Sequence, residues 1–226
     1  MKKKSMKKKI LSVLCCCIFI LGLSGCQKQG YNVVKINDEE ITFDDTHKTL
    51  EEKFGNFYSE EEGYDEDEKY ITILDDKDGD VFIDTYNNNI LLMRINSDKA
   101  SVNNLSLKST IDDLSESFEK DPKEIGNNSD FMILYDDNNE VLKTISSDSK
   151  IIESEGIDLR EDDDLDILYA LKNTSSLKKL ITQSNYAVYV AIEKGEVSSL
   201  DIYNLSEFNE HYDYYSEICE DDYDVW

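Results

Sequence analysis

The strongest constraint on the fold is an internal echo. Residues 41–54 (ITFDDTHKTLEEKF) and 105–118 (LSLKSTIDDLSESF) align at an offset of 64. Ile41 then falls on Leu105, Phe43 on Leu107, Thr46 on Thr110, Leu50 on Leu114 and Phe54 on Phe118. Each copy is a short apolar alternation feeding a helix whose Leu and Phe, four apart, share one face. Asp44 or Asp45 is placed to cap the first helix, and Ser109 with Asp112 gives a capping-box spacing for the second. Gly55 and Pro122 supply the stops. The echo continues at an offset of 61, where Tyr70–Asp76 (YITILDD) falls on Phe131–Asp137 (FMILYDD) and Asn87–Leu91 on Asp148–Ile152. A unit of about 60 residues, strand and helix followed by antiparallel strands, is therefore expected twice.

Outside the echo, Tyr31–Asn37 (YNVVKIN) is a β-branched run and predicts a strand. A third block begins where Asp162, Asp163 or Asp164 can cap a helix through Leu165, Leu168 and Tyr169 to about Asn173. A second short helix carries Leu177, Leu180 and Ile181 on one face. Tyr186–Lys194 and Glu196–Asn204 flank Gly195, a strong hairpin signal. This block is either a degenerate third unit or the part that completes the second. The last stretch, His211–Trp226, mixes acids with aromatics and reads as a solvated tail, with a partner motif as the lesser alternative.

The N-terminus carries a separate message. Lys2, Lys3, Lys4, Lys7, Lys8 and Lys9 precede a largely apolar run from Ile10 to Leu23 that is short for a membrane-spanning helix. The run ends in Leu23-Ser24-Gly25-Cys26, which resembles the lipobox of bacterial lipoproteins. The resemblance implies cleavage between Gly25 and Cys26, an S-diacylglyceryl group on the Cys26 thiol, and a new amino terminus at Cys26 open to N-acylation. Palmitate-type chains on Cys26 would then hold the protein at the extracytoplasmic face of the cell membrane. Two such chains meet the requirement for stable anchoring at about 0.8 kcal/mol per buried methylene. Gln27–Gly30 is a short tether, so the folded part begins close to the bilayer.

Charge narrows the partners. The chain has 24 basic and 50 acidic residues, a net charge of −26; loss of residues 1–25 removes six lysines and no acid, leaving 18 basic residues and a net charge of −32. Such a field repels nucleic acid and anionic headgroups, and favours cations or basic peptides. Of the five cysteines, Cys15, Cys16 and Cys17 lie in the signal run and Cys26 is the lipid carrier. Cys219 alone remains, so packing and not an intrachain disulfide must hold the mature fold.

Signals for chemistry are weak by comparison. With 50 carboxylates, acid pairs at catalytic spacing arise by accident, and a carboxylate-based hydrolase is the least favoured reading. Asp75-Asp76-Lys77-Asp78-Gly79-Asp80 suggests calcium, but counting from Asp76 puts Gly79 at position 4 and Asn87 at position 12, which fails the EF-hand pattern. A turn between strands over Tyr70–Leu74 and Val81–Thr85 explains it. His47 reads as a boundary residue packed one turn before Leu50, and His211 lies in the tail. Two histidines without a cysteine pair give no zinc motif, and a His211–Cys219 nucleophile pair on a tail lacks a rigid setting. No Gly-rich phosphate loop, Gly-x-Ser-x-Gly elbow or Ser-x-x-Lys motif occurs. No cofactor or metal is expected.

The apolar-x-apolar entry, the short capped helix and the meander that follows resemble the β-lactamase-inhibitor-protein-like fold, which includes small lipoproteins of the outer-membrane barrel-assembly machinery. Ile41, Phe43, Thr46, Leu50, Phe54 and Gly55 carry the resemblance, echoed by Leu105, Leu107, Thr110, Leu114 and Phe118. A Gly before the helix and a Pro just after its Gly, both common in that family, are absent, and Glu119 stands where the second unit would end in Gly. The resemblance implies tandem α+β units whose concave sheet binds other proteins, with no binding residue carried over. The expected class is α+β: tandem units of short helices on antiparallel sheets after a lipoprotein signal peptide. The expected divisions are 1–25 signal peptide, 26–30 lipidated cysteine and tether, 31–98 first repeat, 99–160 second repeat, 161–206 helical segment plus hairpin, and 207–226 acidic aromatic tail. The expected role is non-enzymatic binding of an envelope protein or basic peptide, with calcium binding or buffering as the alternative.

Overall fold

The computed structural model describes residues 30–63, 68–73, 80–118, 126, 129–147, 149, 152, 157, 159 and 164–216. Leu23–Cys26, Asp75–Asp78, Glu119, Pro122 and Cys219 lie outside these residues, as do the signal peptide and residues 217–226 of the expected tail.

The protein is an α+β fold built on antiparallel sheets. Strands β1 (Val33–Ile36), β2 (Glu39–Thr42) and β7 (Ala100–Val102) form a three-stranded sheet in the order β2-β1-β7. The remaining strands are β3 (Tyr58–Glu62), β4 (Glu68–Ile73), β5 (Val81–Tyr86), β6 (Asn89–Ile95), β8 (Ser129–Tyr135), β9 (Val141–Ser146), β10 (Tyr186–Glu193) and β11 (Glu196–Asn204). They form one eight-stranded sheet, β3-β4-β5-β6-β11-β10-β8-β9. Helix α1 (His47–Phe54) leads into a 3₁₀ turn (Gly55–Phe57). It is followed in chain order by α2 (Ile111–Ser117), α3 (Asp164–Asn173), α4 (Lys178–Gln183) and α5 (Leu205–Glu210), with a further helical segment over 212–216.

Two-residue turns set the strand registers. Asn37-Asp38, Asn87-Asn88, Asn103-Asn104 and Lys194-Gly195 all have positive φ at both positions, between 47° and 84°. That is the backbone of the hairpin turn whose twist matches the flanking strands, and Asn, Asp and Gly enter it at least cost. The last of these is the hairpin expected at Gly195. The third closes Val102 against Leu105, whose backbone groups exchange hydrogen bonds of 2.8 Å in both directions.

Alternation in the large sheet sorts its side chains into two cores. Phe131, Ile133 and Tyr135 of β8 and Tyr186, Val188, Val190 and Ile192 of β10 pack toward β1, β2, β7, α1 and α2. Met132 and Leu134 with Ala187, Tyr189 and Ala191 pack instead against α3, α4, α5 and the 212–216 segment. Strand β10 is buried on both faces along seven of its eight residues, so it forms the centre of the molecule. The boundary expected at residue 98 divides neither sheet. Strand β1 pairs with β7 across it, and β6 pairs with β11 through Leu200↔Ile95 and Ile202↔Met93.

The helix caps differ from expectation in an instructive way. Thr46, not Asp44 or Asp45, caps α1, and Thr110, not Ser109, caps α2; in each the hydroxyl accepts the amide three residues on, and the residue there bonds back to the cap amide. These two threonines are the identity seen in the aligned segments, and such a cap stabilises its helix by about 1 kcal/mol. Asp45 instead accepts from the Thr42 amide at 2.9 Å and from Lys53 at 2.7 Å. Burial alone would raise its pKa, but Lys53, Thr42 and Thr49 together hold the carboxyl below its usual value.

Residues 207–216 also depart from the expected tail. Leu205, Phe208 and Tyr215 are at most 1% exposed. Phe208 stacks on Tyr215 with ring centroids 5.6 Å apart, and Lys172 of α3 lies 3.9 Å from the Tyr212 ring centroid and 5.4 Å from that of Phe208. Aromatic burial and the cation–π contacts bind this acidic stretch to the helix layer.

Candidate functional site

The chain has only two histidines, and they converge from opposite faces on the turn between β5 and β6. On one face, His47 at the start of α1 places Nε2 2.8 Å from the Thr85 hydroxyl, and its amide donates to Asn88 Oδ1 at 3.2 Å. Burial holds its pKa below the usual 6.5, with Glu60 opposing and Lys69 adding to the shift. This is the boundary-packing role its position predicts.

On the other face, Asn204 caps α5 by accepting the Glu207 amide at 3.1 Å. That cap aims Glu207, Glu210 and His211 along one side of the helix end, since residues three and four apart are neighbours there. Glu207 is 7% exposed, Glu210 is exposed and His211 is half-buried. One ligand atom from each lies within 4.8 Å of the others. His211 Nε2 stands 3.2 Å from Glu207 Oε1, and the Tyr86 ring meets the imidazole edge-on at 5.1 Å. Burial raises the Glu207 pKa, while His211 and a hydrogen bond with Asn89 pull it down.

Behind this cluster, Tyr86 stacks on Tyr214 at 4.3 Å and meets Tyr215 at 5.5 Å. Among the described residues, the buried Tyr215 hydroxyl has no hydrogen-bond partner. Its pKa is raised by burial first and then by the charges of Glu207 and Asp84. A buried donor in that position can serve a carboxylate, or a water or ion that the carboxylates hold.

A second feature is a half-buried aromatic strip on the same face of the large sheet. Tyr70 of β4 and Phe82 of β5 meet with ring centroids 5.7 Å apart. Phe82 pairs across to Arg94, which reaches Asp201 of β11 at 3.1 Å. Exposed Glu61 sits opposite Tyr70 on β3. This ion pair ties the two halves of the sheet together, and the strip beside it presents aromatic rings rimmed by acid.

No family model matches this chain. No curated protein matches it either. Among solved structures it is similar to a cysteine-rich secretory protein from Staphylococcus aureus, at 16% identity over 72% of this chain and a TM-score of 0.35. The chain spans 43% of that protein's length, and the likeness is too slight to assign a function.

The sequence reading and the site overlap in part. Cys26, its proposed cleavage neighbour Gly25, and the Asp75–Asp78 run fall outside the described residues; Asp80 is buried beside β5, its amide bonded to Ile73. His211, expected in a solvated tail, lies half-buried on a packed helix end. Glu207 and Glu210 went unnoticed. Their signal was the spacing of three, three and four from Asn204 through Glu207 to Glu210 and His211, hidden among 50 carboxylates.

Proposed function

We propose that the protein is a lipid-anchored lipoprotein on the extracytoplasmic face of the bacterial cell membrane that binds an envelope protein or basic peptide and performs no chemistry of its own. The observation that carries this reading is the six-lysine run, apolar stretch and Leu23-Ser24-Gly25-Cys26 in direct succession. With a net charge of −32 after cleavage, the mature domain is repelled by anionic headgroups, so the acyl chains on Cys26 supply the anchoring.

Docking of Tyr31 supports a close seat on the membrane. Its amide donates to the Tyr186 hydroxyl at 3.2 Å and its own hydroxyl donates to the Ser117 carbonyl at 2.5 Å. Its ring continues a row through Phe118 at 4.9 Å, Tyr135 at 5.4 Å and Tyr186 beyond. From Cys26 to this fixed point the chain reaches roughly 17 Å at most. The side bearing Tyr31 and α2 therefore faces the bilayer in this reading. The helices capped by Thr46 and Thr110, with their following strands, derive from a duplicated unit.

The Tyr70–Phe82 strip is the proposed contact surface. Paired rings beside exposed Glu61 suit a basic, partly apolar segment through apolar burial and cation–π attraction. A photo-activatable phenylalanine analogue at position 70, in cells making the full chain, tests this. A discrete cross-linked species is expected from position 70 and not from exposed position 48 on α1. Equal, diffuse cross-linking from both positions would contradict the assignment.

A further inference from the structure

We propose that Glu207, Glu210 and His211 form a site for one divalent transition-metal ion of the zinc type. The proposal is independent of the lipid anchor and of the Tyr70–Phe82 strip.

Geometry comes first. A tetrahedral zinc ion with bonds of about 2.0–2.1 Å sets neighbouring ligand atoms about 3.3 Å apart. His211 Nε2 and Glu207 Oε1 stand 3.2 Å apart, so an ion can enter between them without moving the backbone. Glu210, one turn after Glu207 and exposed, offers its carboxylate within 4.8 Å of the other two ligand atoms. Three protein ligands leave one coordination position for water.

The surroundings provide a separate reason. Among the described residues, the buried Glu207 Oε1 and the hydroxyl of Tyr215, a residue 1% exposed, both have no hydrogen-bond partner. An ion held between Glu207 Oε1 and His211 Nε2 gives that buried oxygen its partner. Asn89 bonds Glu207 and the Tyr86 ring holds the imidazole, the kind of outer support that orients metal ligands. Burial of the Glu207 carboxylate is costly without a cation, and a divalent ion offsets its charge.

The donor set selects the ion. One imidazole with two carboxylates suits zinc, manganese or iron better than calcium or magnesium, which favour oxygen alone. The strongly acidic surface raises the local concentration of any divalent cation but does not choose among them.

Calorimetry of zinc against the full chain in detergent, in physiological salt, tests the proposal. Wild type is expected to bind one saturable zinc ion per chain, and calcium to give no matching saturable event. Glu210→Gln and His211→Gln are each expected to weaken zinc binding at least tenfold, whereas Glu116→Gln on α2 leaves it unchanged. Glu210 is exposed, so its variant keeps the fold, and matched melting curves without metal check this for both. Zinc binding that is unaltered in Glu210→Gln and His211→Gln, or a response to calcium equal to that for zinc, would overturn the assignment.

Discussion

Phe208→Ala is expected to lower the stability of the protein by about 3–5 kcal/mol, read as a fall in the urea unfolding midpoint with an unchanged slope. The side chain is fully buried. It stacks on Tyr215 at 5.6 Å and meets Tyr212 at 5.8 Å, while the Lys172 ammonium lies 5.4 Å away. Truncation opens a cavity between α5 and the sheet, and the rigid rings around it cannot collapse inward. A solvated tail would give a different result, a change within about 0.5 kcal/mol. The size of the loss therefore measures whether residues 205–216 belong to the core. Because Phe208 lies one residue from Glu207, a large loss also means that the proposed metal ligands rest on a fixed support.

Cys26→Ser is expected to move the protein almost entirely from the membrane fraction to the soluble fraction, or to stall it as uncleaved precursor. The thiol is the acyl acceptor in the proposed processing, and a serine hydroxyl does not replace it. Among the described residues no helix is long and apolar enough to cross a membrane. The acidic charge works against headgroup binding. Fractionation followed by immunoblotting separates the outcomes, and a Cys26→Ser protein of mature size that stays in the membrane would refute the lipid assignment.

Local structure was largely legible. The β-branched run before Asn37, the hairpin about Gly195 and the apolar faces built on Leu50 and Leu114 all follow from period and turn chemistry. Thr46 and Thr110 cap the helices in place of the expected Asp44 or Asp45 and Ser109, because Asp and Ser are equally good capping types and residue type does not choose among them. The strand order was not legible. The pairings β1 with β7 and β6 with β11 join residues more than 60 and more than 100 apart, and no local pattern encodes them. The C-terminal region misled for a different reason. Its acids and tyrosines read as solvated by composition, yet Leu205, Phe208, Tyr212 and Tyr215 fall at helical spacing on one face. That periodicity outweighs the charge, and it brings His211 beside Glu207.

The proposed mature chain begins at a lipidated Cys26. Mass spectrometry of the N-terminal peptide from membrane-extracted protein tests it most directly. The expected peptide starts at Cys26, and its mass exceeds that of the unmodified sequence by a diacylglyceryl group, with or without a further acyl chain. A peptide that starts at Met1, or one that starts elsewhere with an unmodified Cys26, would contradict it.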